Sequence, residues 1–105
     1  MDDVIKRLIK FRDDRNWKQF HTPNNLAKSI AIESSELLIN YQFDNYYFDE
    51  ENVKDELADI MAYCLMLSEH YGFDIEKIMN DKIDKNEKKY PVGKSFGKSN
   101  KYNNL

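Results

Sequence analysis

The sequence predicts an all-α domain, and three observations support this fold class. Only three glycines and two prolines occur in 105 residues, and two of those glycines lie near the C-terminus. Apolar residues recur at helical spacing, and side chains typical of helix N-termini precede these runs. The length is that of one domain. We therefore expect a single domain, with four helices in residues 1–90 and a basic tail in residues 91–105.

The first two helices are predicted from an apolar stripe and a start signal. A helix is expected over residues 2–15, with its apolar side formed by Val4, Ile5, Leu8, Ile9 and Phe11, and a turn is expected at residues 16–22. Thr22 and Pro23 then combine a hydroxyl N-cap with proline at the first helical position. The second helix is expected to run from there to about Tyr41. Its apolar residues occupy more than one side, so we expect it to be largely buried.

The third and fourth helices are predicted from acidic caps. Asp49 begins the third helix, where negative charge suits the helix dipole, and this helix ends near Tyr71. Gly72 follows as its C-terminal cap. Asp74 caps the fourth helix, which runs to about Lys89. The core stripe of the third helix is predicted at Val53, Leu57, Met61, Cys64 and Tyr71.

Composition excludes several classes of protein. The chain is 41% hydrophobic, 33% charged and 13% aromatic, which fits a globular protein and argues against disorder. Its single cysteine, Cys64, excludes an internal disulfide and a multi-cysteine zinc site. We see neither a long apolar run nor a basic-then-apolar leader. We therefore expect a cytoplasmic protein with no membrane partner.

Charge is distributed unevenly along the chain. All 19 acidic residues and 11 of the 16 basic residues precede Lys88, so residues 1–87 carry a net charge of −8 and residues 88–105 carry +5. Such a tail can bind nucleic acid, fold over a bound polyphosphate, or only increase solubility.

Two pairs of acidic residues indicate a metal site. Glu33 and Glu36 lie on the second predicted helix, and Glu56 and Asp59 lie on the third. The i, i+3 spacing of each pair places both carboxylates on one helix surface. Converging carboxylates repel one another unless a cation neutralises them, and Mg²⁺ takes oxygen ligands. The sequence therefore predicts a Mg²⁺ site, with Mn²⁺ as a substitute ion.

The four acids have two other interpretations, as surface ion-pair residues or as ligands of a di-iron site. In an acid-rich helical chain such pairs also occur as surface residues that face Lys or Arg. A di-iron bundle uses carboxylates in the same way but usually adds a histidine three residues after a glutamate. The third residues after Glu56 and Asp59 are Asp59 and Ala62, so Mg²⁺ is favoured over iron.

Four sequence runs occur in a fixed order: W-K-Q-F-H-T-P-N-N-L-A (Trp17–Ala27), E-S-S-E-L (Glu33–Leu37), D-E-L-A-D-I-M-A-Y (Asp55–Tyr63) and K-x-x-x-N-x-x-K-Y-P (Lys82–Pro91). Together they resemble the MazG-like all-α nucleotide pyrophosphohydrolases, and within them the small dCTP pyrophosphatase branch. The resemblance implies hydrolysis of a nucleoside triphosphate between its α- and β-phosphates, with Glu33, Glu36, Glu56 and Asp59 as metal ligands and catalytic residues.

The resemblance also implies a set of substrate contacts. Some pack against the base or sugar, and others reach the phosphates or close the site over them. After the second helix the family branch often has F-Q-W, whereas this chain has Y-Q-F, so a phenyl ring would stack in place of an indole. The implied substrate-binding residues are Trp17, His21, Phe43, Tyr63, Lys82, Asn86, Lys89 and Tyr90.

The function that we expect is house-cleaning hydrolysis of dCTP-like or modified deoxynucleotides. A dUTP or broad-range dNTP pyrophosphohydrolase is the alternative within this class. From a different class, the chain could be a helical module that binds nucleic acid or protein through its tail, although nucleic acid is the less favoured partner. The resemblance further implies a homodimer or homotetramer.

Overall fold

The computed structural model describes residues 1–42 and 49–105. In this part of the chain all regular structure is helical, which confirms the predicted all-α fold class. The helices are α1 (Asp2–Asp14), α2 (Pro23–Ile39), α3 (Glu50–His70), α4 (Ile75–Lys89) and the short α5 (Val92–Ser95), with 3₁₀ turns at Lys18–Phe20 and Tyr102–Asn104.

The helices begin at the residues that the caps predict. Thr22, Asp49 and Asp74 each accept a hydrogen bond from the backbone N–H three residues later, at 3.2, 3.1 and 3.2 Å. Each bond satisfies one backbone donor that the first helical turn leaves free. At the other end of α3, Gly72 has a φ of 70°, a left-handed conformation that favours glycine. The predicted ends agree with the structure within two residues.

The core lies where α2 and α1 pack against α3. Leu26 of α2 is 1% exposed, and Leu65 and Met66 of α3 are also buried. Two polar residues, Arg12 and Ser68, are buried with them. This packing brings the middle of α2 beside the first half of α3, which are the two segments that carry the predicted metal ligands.

The expectation that α2 is largely buried was wrong. Leu26 is its one buried residue, whereas Ile32, Leu38 and Ile39 are exposed, Leu38 by 68%. The reason is geometric: a helix that is apolar on several sides can bury only the side that faces its neighbour within one chain. Ile32, Leu38 and Ile39 form an exposed apolar face of α2.

The predicted core stripe of α3 was also partly wrong. Leu57, Met61 and Tyr71 are each about half exposed, and the buried apolar residues are Leu65 and Met66 instead. Several faces of α3 carry apolar residues, so periodicity alone does not show which face meets α1 and α2.

The chain divides into two compact units, Met1–Gly72 and Phe73–Leu105. In the second unit, the ring of Tyr102 packs edge-on against Tyr90 at 6.2 Å between centroids, and Lys89 Nζ lies 5.1 Å from the Tyr102 ring centroid. The C-terminal segment therefore returns to the end of α4. The single-domain organisation, with a body and a tail meeting at residue 90, stays a prediction.

Within residues 1–42 and 49–105, no helix is both long enough and apolar enough to span a membrane.

Candidate active site

Three of the four predicted metal ligands meet between α2 and α3. Glu33, Glu56 and Asp59 each place one carboxylate oxygen so that all three oxygens lie within 4.8 Å of one another. Glu33 and Glu56 are half-buried and Asp59 is exposed, so the group opens to solvent on one side. We refer to these three residues as the acidic cluster.

Within the acidic cluster, Glu56 has an unsatisfied atom. Its Oε2 is buried and has no hydrogen-bond partner among the residues that the structure describes. A buried carboxylate oxygen without a partner is costly, and a cation or a proton removes that cost. The donor set consists of carboxylate oxygens, which suits a hard divalent ion such as Mg²⁺ better than a softer metal. The residues present therefore fit a Mg²⁺ site.

Electrostatic crowding is visible at Glu33. A hydrogen bond shared with Glu56 raises the pKa of Glu33, and burial and the negative charges of Glu56 and Asp59 raise it further. A hydrogen bond with Glu36 acts in the opposite direction. Like charges in one site favour retention of a proton by one of them, and a bound cation would replace that proton.

The fourth predicted ligand, Glu36, lies one turn after Glu33 on α2 and is exposed. It is close enough to act on the pKa of Glu33, but its oxygens do not belong to the group of three.

An aromatic cavity of about 370 Å³ adjoins the acidic cluster. Its lining includes Phe11 from α1, Trp17 and His21 from the connection to α2, and Asp59 and Tyr63 from α3. Asp59 belongs to both the cavity and the acidic cluster. The structure thus places three predicted base or sugar contacts, Trp17, His21 and Tyr63, beside the predicted metal ligands.

The aromatic rings of the cavity pack edge to face. The rings of Phe11 and Trp17 have centroids 5.6 Å apart at 80°, and those of His21 and Tyr63 have centroids 6.5 Å apart at 79°. The Arg15 guanidinium lies 3.7 Å from the Phe11 ring centroid and covers one face of that ring, so a planar heterocycle would stack on the other rings of the cavity.

His21 presents a free polar atom to this environment. Its Nδ1 is buried and has no hydrogen-bond partner within residues 1–42 and 49–105. Burial lowers the pKa of His21, and the positive charge of Arg12 lowers it further. The imidazole is therefore neutral near pH 7, with one nitrogen that donates and one that accepts.

Tyr63 lies between the cavity and the acidic cluster. Burial raises the pKa of Tyr63, and the negative charges of Glu33, Asp59 and Glu36 raise it further, while a hydrogen bond with Ser29 lowers it. The phenol therefore stays protonated at neutral pH, so it can donate a hydrogen bond.

Two residues of this region were not singled out by the sequence. Phe11 was assigned to the apolar side of the first helix, but it lines the cavity. Periodicity marks an apolar face without showing whether a core or a pocket lies against it. Arg12 is buried although it is charged, and no sequence motif indicated this.

The other predicted substrate contacts belong to the second unit or lie outside the described residues. Lys82 and Asn86 are exposed on α4, one turn apart, and Lys89 and Tyr90 lie where α4 ends. These four belong to the second unit, and their roles stay predictions. Phe43 lies outside the described residues.

Comparison with known proteins gave one family and several relatives. The MazG-like family model matches residues 26–105. The chain is 30% identical to dCTP pyrophosphatase 1 of Bos taurus over 117 residues, covering 100% of this chain and 68% of that protein. It is 25% identical to dCTP pyrophosphatase 1 of Homo sapiens over 114 residues, covering 100% of this chain and 67% of that protein.

A solved structure agrees with the curated relatives. The chain resembles a pyrophosphatase from Archaeoglobus fulgidus with a TM-score of 0.77 and 38% sequence identity, covering 87% of this chain and 92% of that one. The fold and the sequence are therefore both similar to those of proteins named as pyrophosphatases.

Proposed function

Because the chain belongs to the MazG-like family, we propose that it hydrolyses a dCTP-like or modified deoxynucleoside triphosphate, with Mg²⁺, to the monophosphate and pyrophosphate. Its relatives make it a nucleoside triphosphate pyrophosphohydrolase. The proposal concerns the metal, the substrate and the role of each residue. The observation that carries it is the acidic cluster beside an aromatic cavity, with Asp59 common to both.

The acidic cluster would hold Mg²⁺ through Glu33, Glu56 and Asp59. When bound, the ion would neutralise charge on the phosphates and orient them for attack by water at the α-phosphorus. Glu36 is available either as a further ligand or as the base that accepts a proton from that water. The bond between the α-phosphorus and its bridging oxygen breaks, and that oxygen leaves with pyrophosphate.

The aromatic cavity would bind the base. Trp17 and Tyr63 offer ring faces or edges to a heterocycle, and His21 Nδ1 offers a hydrogen-bonding atom. Because Asp59 also lines the cavity, a base bound here would have its phosphates near the carboxylates. Lys82, Asn86, Lys89 and Tyr90 are proposed contacts for the phosphates or sugar.

The proposal is tested by incubating the protein with each of the four dNTPs, dUTP and 5-methyl-dCTP, with Mg²⁺ and with EDTA, and separating the products by chromatography. Monophosphate and pyrophosphate that appear only with Mg²⁺ support it, and their rates rank the bases. A highest rate with dUTP, or similar rates with all, supports the alternative substrate range. Turnover that persists in EDTA argues against the metal assignment.

His21→Ala is expected to raise KM for the preferred nucleotide about tenfold and to change kcat little, because it removes a contact to the base rather than to the reacting phosphate. Steady-state kinetics measures this. The other histidine, His70, is exposed at the end of α3 and does not line the cavity, so His70→Ala is the matched control. An unchanged KM in His21→Ala would exclude this base contact.

We further propose that the chain assembles as a homodimer or homotetramer. The exposed apolar face of α2, with Ile32, Leu38 and Ile39, is available for a second copy. Leu38→Glu is expected to shift the protein to a smaller species in size-exclusion chromatography with light scattering. Gln19→Glu adds the same charge at an exposed position outside α2 and serves as the control. An unchanged mass in Leu38→Glu would argue against this interface.

A cytoplasmic location stays a prediction.

A further inference from the structure

A buried arginine links the two helices that contribute to the aromatic cavity. Arg12 of α1 is 4% exposed. Its Nη1 donates to Glu69 Oε2 on α3 at 2.8 Å, and its Nε donates to Asp13 Oδ1 at 2.9 Å. Burial of a guanidinium is costly unless carboxylates pair with it, and these two do so. The Arg12–Glu69 bond therefore ties α1 to α3.

The same residue anchors the segment that follows α1. The backbone oxygen of Arg12 accepts hydrogen bonds from the N–H of Trp17 at 3.0 Å and of Arg15 at 3.2 Å. Between them, Asn16 has a φ of 54°, a left-handed conformation that turns the chain back. The Trp17 ring then packs edge-on against Phe11. The position of Trp17 thus depends on where the end of α1 is held.

His21 ends this segment and is also within reach of Arg12, whose charge contributes to its lowered pKa after the larger effect of burial. Trp17 and His21 line one part of the cavity, and Tyr63 of α3 lines another. The distance between these parts depends on how α1 and its connection lie against α3. Arg12 bonds to the connection through its backbone oxygen and to α3 through its side chain.

We propose that Arg12 is a positioning residue for the nucleotide base: by tying α1 to α3, it holds Trp17 and His21 at the spacing that the base requires. This inference rests on the proposed function, since that function assigns the cavity to the base. Apolar side chains can replace a buried ion pair at little cost in stability. The ion pair instead fixes geometry, because two charge-assisted hydrogen bonds hold the guanidinium in one orientation.

The first test is kinetic. Glu69→Gln removes the charge that pairs with Arg12, and Arg12→Lys keeps the positive charge but loses the fork that bonds both carboxylates. Both variants are expected to raise KM, by roughly threefold to tenfold, with kcat within about twofold of wild type. Their Mg²⁺ dependence should not change. Lys10→Gln is the matched control, since Lys10 forms an exposed ion pair with Asp14 on the same helix.

The second test needs no turnover. Trp17 is the only tryptophan, so acrylamide quenching of its fluorescence reports how firmly it is held. Measured well below the unfolding midpoint of every variant, quenching is expected to increase in Glu69→Gln and Arg12→Lys and to stay at the wild-type value in Lys10→Gln. Wild-type quenching in both variants overturns the proposal, whatever KM shows. Failure of the proposed function would appear separately, as no hydrolysis by the wild-type protein.

Discussion

Glu56→Gln is expected to lower kcat/KM for the preferred deoxynucleoside triphosphate by a factor on the order of 10²–10³, because it removes one of three carboxylates that would hold Mg²⁺ against the phosphates. The amide keeps the size of the side chain but supplies only a neutral oxygen. Steady-state kinetics at saturating Mg²⁺ measures the effect. Glu51→Gln is the control, since it makes the same substitution at an exposed position near the start of the same helix.

The same variant separates a metal site from a structural ion pair. In the metal-free protein, Glu56→Gln is expected to keep or increase the free energy of unfolding, because it removes charge from a crowded cluster and a buried oxygen without a partner. A carboxylate that served only as an ion-pair partner would show the opposite result, with stability lost and turnover kept. That combination, measured by urea unfolding and kinetics, would refute the assignment of Glu56 as a ligand.

The contribution of Glu33 to the stability of the metal-free protein is expected to fall as the pH rises, whereas that of His21, whose pKa is lowered, rises with pH. The pKa of Glu33 is raised above its ordinary value of 4.5, mainly by the hydrogen bond with Glu56. Between the ordinary and the raised pKa, the folded chain therefore binds a proton that the unfolded chain does not. The contribution to stability is complete below the ordinary value and is lost as the pH rises through the raised one. Thermal unfolding of wild type and Glu33→Gln in EDTA, from about pH 5 to about pH 8, measures this loss as the difference between the two proteins, since both contain His21.

Addition of Mg²⁺ should reverse the trend. The ion binds the ionised carboxylates, so the increase in Tm that it produces should grow as the pH rises. At a free concentration 100 times its Kd, a ligand that binds only the folded state stabilises it by about 2.7 kcal/mol. Glu33→Gln should remove the Glu33 contribution to the pH dependence in EDTA and reduce the response to Mg²⁺. If Mg²⁺ gave the same increase in Tm at every pH, Glu33 would not be a ligand whose proton the ion displaces.

Much of the fold was predictable because its signals are local. Thr22, Asp49 and Asp74 bond to backbone groups three residues away, so a short sequence window contains the whole interaction. The buried faces were less predictable, since they depend on which neighbour each helix meets. Ile32 and Leu57 look like core residues by periodicity, yet both are exposed.

The candidate site was likewise predictable where its signals are local and unpredictable where they depend on packing. The i, i+3 spacing of Glu56 and Asp59 places both on one surface of α3, and Glu33 joins them through helix packing. Spacing could not show that Glu36 stays outside the group of three oxygens, because one turn of helix is enough to change the direction of a side chain. It also could not show that Arg12 is buried. That burial depends on Glu69, which lies 57 residues later in the chain.

The neutral state of His21 has a consequence for selectivity. In a neutral imidazole the proton can reside on either nitrogen, and its transfer changes Nδ1 from an acceptor to a donor. The same atom can therefore bond to an exocyclic amino group or to a carbonyl oxygen. A base pocket that depends on this atom distinguishes bases by shape and ring face more than by the pattern of donors and acceptors. Such tolerance would favour the broad-range alternative, in which the dNTP assay gives similar rates with several bases. A strict preference for cytosine over uracil would require a partner of fixed polarity instead.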